Sequence, residues 1–252
     1  MDRIVYTAMS GAARTLEHQA ALANNMANAN TPGFRAQLAA YRAVPVTDPV
    51  SLPTRVSTVA ATPGSDFTPA AVIDTGRALD MAVAGAGWFA VQTPEGEAYT
   101  RAGGLQVGVD GLLRSPQGLP VLSADNQPIE VPAQASLTFA SDGSITAVGA
   151  GDPPADIQLL GRLKLVNPPA GQLARGDDGL FRLAQAGQPA APLPADPAVR
   201  IVSGALEDSN VSPIDAMVGM IDNSRRFDMQ MQAIRQADEN AQRANAILSV
   251  SA

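Results

Sequence analysis

The chain has 252 residues, 17 basic and 24 acidic side chains and a net charge of -7, so it can bury a real core as one large domain or two small ones. That charge has the wrong sign for a polyphosphate partner, which needs clustered Lys and Arg to release counterions, and nucleic acid is excluded on this ground. The chain contains no Cys, which removes thiolate catalysis, disulfides and Cys-based metal sites. Apolar residues make up 46% and charged residues 16%, with 22 Gly and 20 Pro, the composition of a globular chain rich in turns.

The first element in chain order is a helix from Arg3 to about Asn28. This stretch has no Pro and no Gly but Gly11. Apolar residues fall at Met9, Leu16 and Ala23, with Val5, Ala12 and Met26 offset, the seven-residue spacing of a narrow coiled-coil seam. Fully formed, it spans roughly 39 Å. Pro32 drives Thr31 out of the helical region and Gly33 accepts a left-handed turn, so the helix stops by Asn30-Thr31-Pro32-Gly33. Asp2, Arg3, Arg14 and Glu17 interrupt Met1 to Asn30, which therefore lacks the apolar core of a cleavable signal peptide and reads as mature protein. His18, the lone histidine, sits on this helix; a solvated surface His is the simpler reading beside a titrating switch, since no second His or Cys can join it.

From Phe34 to about Asp74, Pro45, Pro49, Pro53, Pro63 and Pro69 with Thr and Ser predict an extended connection. Thr75 to Val202 reads as one all-β domain, with strand candidates at Trp88 to Val91, Leu105 to Val109, Leu137 to Phe139, Ser144 to Val148, Gly161 to Val166, Leu180 to Leu183 and Val199 to Val202. Asp110-Gly111, Asp142-Gly143 and Asp178-Gly179 supply the turns between them. The apolar run Met81 to Val91 is far short of the about 20 residues a membrane helix needs, so no membrane insertion is expected.

Ser212-Pro213-Ile214-Asp215 reads as an N-cap, a proline at the first helical position and an acidic residue three after the cap. The helix it opens carries Met220, Phe227, Ile234, Ala241 and Leu248 at heptad spacing. Met217, Ser224, Met231, Asp238 and Asn245 form a parallel row, whose polar members weaken the seam while restricting register. Glu239 and Arg243, like Asp222 and Arg226, support an exposed face.

Chemistry is hard to find. Asp177-Asp178 is adjacent and Gly-flanked, the pattern of a turn rather than an acid/base dyad. Gly85-Ala86-Gly87 lacks the third glycine and the following helix of a dinucleotide loop. No serine lies in Gly-x-Ser-x-Gly. Catalytic, cofactor and metal residues are each expected to be none, and the chain is not expected to be an enzyme.

The segment Ala23-Asn24-Asn25-Met26-Ala27-Asn28-Ala29-Asn30-Thr31-Pro32-Gly33-Phe34 resembles the N-terminal signature of the bacterial flagellar rod and hook proteins. Gly204-Ala205-Leu206-Glu207-Asp208-Ser209-Asn210-Val211 is similar to that family's Leu-Glu-x-Ser-Asn-Val element, and Tyr99-Thr100-Arg101-Ala102-Gly103 with Asp110-Gly111-Leu112-Leu113 resembles its β-domain signature. Met26 stands where Leu or Ile is commoner and Asp208 where a small residue is usual. The opening Met1 to Ala12, with Phe34-Arg35-Ala36-Gln37-Leu38 and Arg42-Ala43-Val44-Pro45-Val46, is closer to the proximal-rod members than to the distal-rod ones.

The resemblance implies an α+β chain whose N- and C-terminal long helices pair as a coiled coil around a central all-β domain of short antiparallel strands. The divisions are 1-33, 34-74, 75-202 and 203-252. It implies a structural subunit of the periplasmic rod in the flagellar basal body, exported by the flagellar apparatus, with copies of itself and other rod subunits as partners. The alternatives are a distal-rod subunit or a secreted β-rich protein acting on the cell wall. Interface candidates are Met9, Leu16, Ala23, Asn24, Asn25, Met26, Asn28, Thr31, Gly33, Phe34, Leu206, Ser209, Asn210, Val211, Met217, Met220, Phe227, Met231, Ile234 and Leu248. For any one of the three asparagines, capping the helix end is the simpler role. Alanine-rich helices depend on tertiary partners, so limited proteolysis of the purified monomer should trim both ends and leave a β core; resistant termini would count against this.

Overall fold

The computed structural model of the chain describes residues 2–39, 41–45, 56–60, 64–149, 157–183 and 191–250. Two long helices, α1 (Asp2–Ala27) and α2 (Pro213–Val250), bracket a middle of short strands, the α+β class the sequence implies. At the start of α2 the Asp215 backbone N–H donates to Ser212 Oγ at 3.3 Å, while Pro213 occupies a first-turn position where no donor is needed. At the end of α1 the Asn28 backbone N–H donates to the Asn24 and Asn25 carbonyls, both at 3.1 Å, and Asn28 Nδ2 donates to the Asn24 carbonyl at 2.9 Å. The chain divides into two compact units, one of Met1–Ala29, Ala36–Asp66 and Val211–Ala252, the other of Asn30–Arg35 and Phe67–Asn210.

In the first unit α1 and α2 run antiparallel. Leu22 lies beside Gly219, Thr15 and Gln19 meet Asn223, and Gly11 lies beside Gln230. On α1 the seam is made by Ala8 and Ala12, both buried, continued by half-buried Thr15, Gln19, Leu22 and Met26. This corrects the expected row: Met9 and Leu16 are 54% and 58% exposed, and Ala23 is exposed too. On α2 the half-buried row Met220, Phe227, Ile234 and Ala241 lies in the seam as the heptads predict. Its companion row is Ala216, Asn223, Gln230, Ala237 and Ala244, one residue ahead of the predicted one. Ser224, Asp238 and Asn245 are exposed, Met217 is 48% exposed, and the Leu248 side chain lies outside the described residues. Close approach explains both shifts. A Cβ on Gly11 would sit 2.8 Å from Gln230 Nε2, and one on Gly219 would sit 3.2 Å from the Leu22 side chain, so at these two points a long side chain of one helix fills the space that glycine leaves on the other.

Within the span expected as an extended connection, Tyr41–Pro45 pairs antiparallel with Val56–Ala60 and Gln37–Leu38 with Gly64–Ser65. Asn25 holds this edge to α1: its Nδ2 donates to the Gln37 carbonyl at 2.9 Å and its Oδ1 accepts from the Gln37 N–H at 2.7 Å.

The second unit is built on a five-stranded sheet in the order Leu165–Val166, Trp88–Thr93, Gly96–Thr100, Phe181–Leu183, Leu173–Arg175. Strand Trp88–Thr93 is buried on both faces, with Phe89 and Val91 in the main core beside Met81, Leu113, Ile145, Leu163 and Leu165. Its alternate residues Trp88 and Ala90 enter a second cluster with Tyr99, Leu122, Val166 and Phe181. A three-stranded sheet of Ser136–Phe139, Ser144–Val148 and Gln158–Arg162 adds Phe139 and Ile145 to the main core. The predicted run 161–166 is therefore split between two sheets at Leu163 and Lys164. Lys164 is 1% exposed and its Nζ donates to Glu97 Oε2 at 2.6 Å.

The three Asp-Gly turns form as predicted. Each Asp accepts the backbone N–H two residues on, from Leu112 at 3.3 Å, Ser144 at 3.0 Å and Leu180 at 3.1 Å. Asp178 also takes Arg182 Nη2 at 2.6 Å, which holds its carboxyl below the usual range.

Gly103 marks the tightest approach between segments. Its carbonyl accepts the Met81 N–H at 2.9 Å, and a Cβ there would fall 1.6 Å from the Met81 carbonyl oxygen. Gly103→Ala should destabilise the β unit by about 3 kcal/mol or more, since a buried backbone must move. Denaturant unfolding followed by Trp88 fluorescence measures this.

Candidate assembly surfaces

Three stretches singled out by sequence meet in the β unit on one side chain. Glu207, in strand Ala205–Glu207, is 1% exposed. Its Oε1 accepts Arg35 Nη2 at 2.6 Å and the Ala70 backbone N–H at 2.9 Å, and its Oε2 accepts Arg101 Nη1 at 2.9 Å. Its backbone carbonyl takes the Gly33 N–H at 2.8 Å. Gly33 has φ +73 and a Cβ there would lie 2.4 Å from the Arg101 carbonyl carbon, so glycine is required both by conformation and by space.

The surroundings tighten this junction. Arg101 Nη2 donates to the Gly85 carbonyl at 2.6 Å and its guanidinium lies 5.3 Å from the Trp88 ring centroid. Burial pushes the Arg101 pKa down, Glu207 opposes that, and neighbouring Arg35 adds to it. Arg175 Nη1 donates to the Arg35 carbonyl at 2.9 Å while its guanidinium stacks 4.3 Å over the Phe34 ring. Asn210 closes the junction through its N–H to the Phe34 carbonyl at 3.3 Å and its Nδ2 to the Thr68 carbonyl at 3.1 Å.

The proposed interface residues thus fall into distinct groups. Gly33 and Phe34 are buried in the β unit, where half-buried Leu206, Ser209 and Asn210 adjoin them. Asn25 is buried against Gln37, while Met26, Met220, Phe227, Met231 and Ile234 are half-buried on the helix pair, as are Asn28 and Val211. Met9, Leu16, Ala23, Asn24, Thr31 and Met217 are exposed. Met9, Ala13, Leu16, Ala20, Ala23 and Ala27, all exposed, follow one another at four- and three-residue steps. They make a second apolar seam on the side of α1 turned from α2. Early α2 adds exposed Ile214, Val218 and Ile221, which the heptad count passed over. The sequence reading does not pick out Arg35, Arg101, Glu207 or Asn223 as functional: the first three lie inside motif-bearing stretches with nothing to pair them, and Asn223 lies in the polar run Asp222 to Arg226.

Among the described residues no group of three His, Asp or Glu could hold a metal ion, and no helix is long and apolar enough to cross a membrane. A helix pair with one seam filled and another open, joined in sequence to an ion-paired β unit, defines a protein class built for association. Comparison with known proteins gives it a family. A family model described as Flagella basal body rod protein matches residues 5–35, one described as Flagellar hook protein FlgE/F/G D1 domain matches 82–147, and one described as Flagellar basal body rod FlgEFG protein C-terminal matches 202–247. The chain is 52% identical over 254 residues to the flagellar basal-body rod protein FlgF of Salmonella typhimurium and 50% identical to that of Escherichia coli, covering 100% of each chain. It is 30% identical over 245 residues to the flagellar basal-body rod protein FlgG of Agrobacterium fabrum, across 87% of this chain and 89% of the relative. The chain belongs to the flagellar basal-body rod protein family.

Removing one partner from a buried ion triad strands the others without water, a loss of about 3–5 kcal/mol. Glu207→Ala should lower the unfolding free energy of the β unit by about that amount. Arg35→Met combined with Glu207→Met should cost less than the two single changes summed, because they share one network; paired denaturant titrations test both statements.

Proposed function

We propose that this chain is a structural subunit of the proximal rod of the bacterial flagellar basal body, assembling helically with copies of itself and other rod subunits to transmit torque. It does so without catalytic turnover, in the periplasm, after export by the flagellar apparatus. The observation that carries the reading is the open seam of α1, where Met9 and Leu16 stand 54% and 58% exposed on a helix whose adjoining face is already filled. An apolar row of this kind is costly in water unless another helix covers it. The likeness to relatives named FlgF over the whole chain, against 30% identity to a relative named FlgG, supports the proximal position over the distal one.

In this reading residues 1–33 and 203–252 supply the rod-core helices, 34–74 the connection between regions and 75–202 the β domain. A face of one subunit meets a different face of the next, and the rotation does not close, which produces a rod rather than a ring. The exposed members of the candidate interface, Met9, Leu16, Ala23, Asn24, Thr31 and Met217, make the contacts between subunits. Buried Asn25, Gly33 and Phe34 serve by holding the segments that present them.

Leu16→Glu places a charge in the open seam without touching the filled one. The variant should give an unchanged far-UV circular dichroism spectrum as a monomer, yet fail to restore swimming to a strain lacking the native chain. Normal swimming would show that this row contacts no neighbour, and electron microscopy of isolated basal bodies would separate a proximal from a distal position.

A further inference from the structure

Asn223 is, among the described residues, the one polar side chain fully buried in the α1–α2 seam, 4% exposed, on a row that otherwise carries Ala216, half-buried Gln230, Ala237 and Ala244. Its Nδ2 donates to the Thr15 carbonyl at 2.7 Å and to Gln19 Oε1 at 2.8 Å. Its Oδ1 lies 3.2 Å from His18 Nδ1, so the imidazole supplies the donor. All three partners stand on one turn of α1, and together they use both amide hydrogens and the amide oxygen.

We propose that Asn223 is the register pin of this helix pair: it favours the antiparallel pairing of α1 with α2 in the observed register over a slide that would leave its amide short of partners. This inference needs only the pairing within one chain and does not rest on the rod reading. Alanine-rich seams are weak discriminators, since a slide of seven residues replaces one small side chain by another. A slide of one heptad carries Asn223 toward Leu22, Asn25 and Met26, where the Asn25 amide is already bonded to the Gln37 carbonyl and N–H, or toward Ala8, Gly11 and Ala12, which offer no polar side chain. An amide buried without partners is penalised far more than a matched one is rewarded, so the residue acts chiefly by excluding alternatives. Two close approaches reinforce the same register, Gly11 against Gln230 and Gly219 against Leu22. Neither of these penalises a slide by leaving a polar group dry.

The absence of cysteine allows a direct test on the full-length chain. Leu22→Cys with Gly219→Cys reports the native register, since shortening Leu22 makes room for the new side chain. Leu22→Cys with Arg226→Cys reports a slide of one heptad. Oxidised at low concentration, the first pair should close within the chain and the second should close little. Adding Asn223→Ala, the residue the row already carries at 216 and 237, should raise the slid product about tenfold relative to the native product. Gln19→Leu, which removes one partner and keeps the amide, should move the distribution the same way by a smaller factor and gives a second reading should Asn223→Ala lose its helical signal. An unchanged distribution in either folded variant overturns the proposal.

Discussion

Two guanidiniums share one carboxylate in the interior of the β unit, and the geometry around that carboxylate governs much of what surrounds it. Glu207 receives Arg35, Arg101 and the Ala70 N–H on its side chain and Gly33 on its backbone. Taking three charges out of water is tolerable only where they are paired and hydrogen-bonded, and three donors from three segments reach this carboxylate. The segment that follows α1 in sequence and the strand that precedes α2 are thereby both tied to the sheet that holds Trp88. The contacts around it are consistent with this tie: Arg101 reaches Trp88, Arg175 covers Phe34, and Asn210 bonds to the Phe34 carbonyl. A neutral residue at position 207 would leave the arginines facing each other.

The helices were legible as elements and less so as surfaces. Their limits followed from Pro32 and Gly33 at one end and Ser212-Pro213 at the other, signals that act through one or two dihedrals and need no tertiary knowledge. Which face turns inward did not follow, because hydrophobicity was read as a guide to burial. Met9 and Leu16 are the most apolar residues on their stretch of α1, yet Ala8 and Thr15 face α2 in their place, beside Ala12 and Met26 of the expected offset row. The reason lies in separation: Gly11 and Gly219 leave room for the long side chains of Gln230 and Leu22, and this turns α1 so that Ala8 and Ala12 are covered while Met9 and Leu16 are not. On α2 the half-buried row of Met220, Phe227 and Ile234 was found, while its companion row was displaced by one residue, since Met217 outweighs Ala216 on any hydrophobic scale.

In the β unit the turns were the readable part. Asp110-Gly111, Asp142-Gly143 and Asp178-Gly179 are local devices, each closed by the Asp oxygen and an N–H two residues on. Strands Met81–Ala84 and Gly96–Thr100 escaped notice, the first because it merges into a longer apolar run and the second because Gly96 and Glu97 dilute it. The Arg35, Arg101 and Glu207 junction was invisible for a different reason. Its members are far apart in sequence, and what joins them is long-range topology; their segments stood out only through resemblance to a family.

Lys164 is the chain's single lysine, and it is enclosed with Glu97 as its counterion. Every side-chain cation that solvent or another molecule can meet, apart from His18, is consequently a guanidinium. Such groups keep their charge well beyond the alkaline range in which ammonium groups discharge, and they bind carboxylates through paired, planar contacts. The positive side of this surface is therefore insensitive to alkali. Its ionic contacts are open to loosening from the acid side alone, through protonation of the carboxylates that face it.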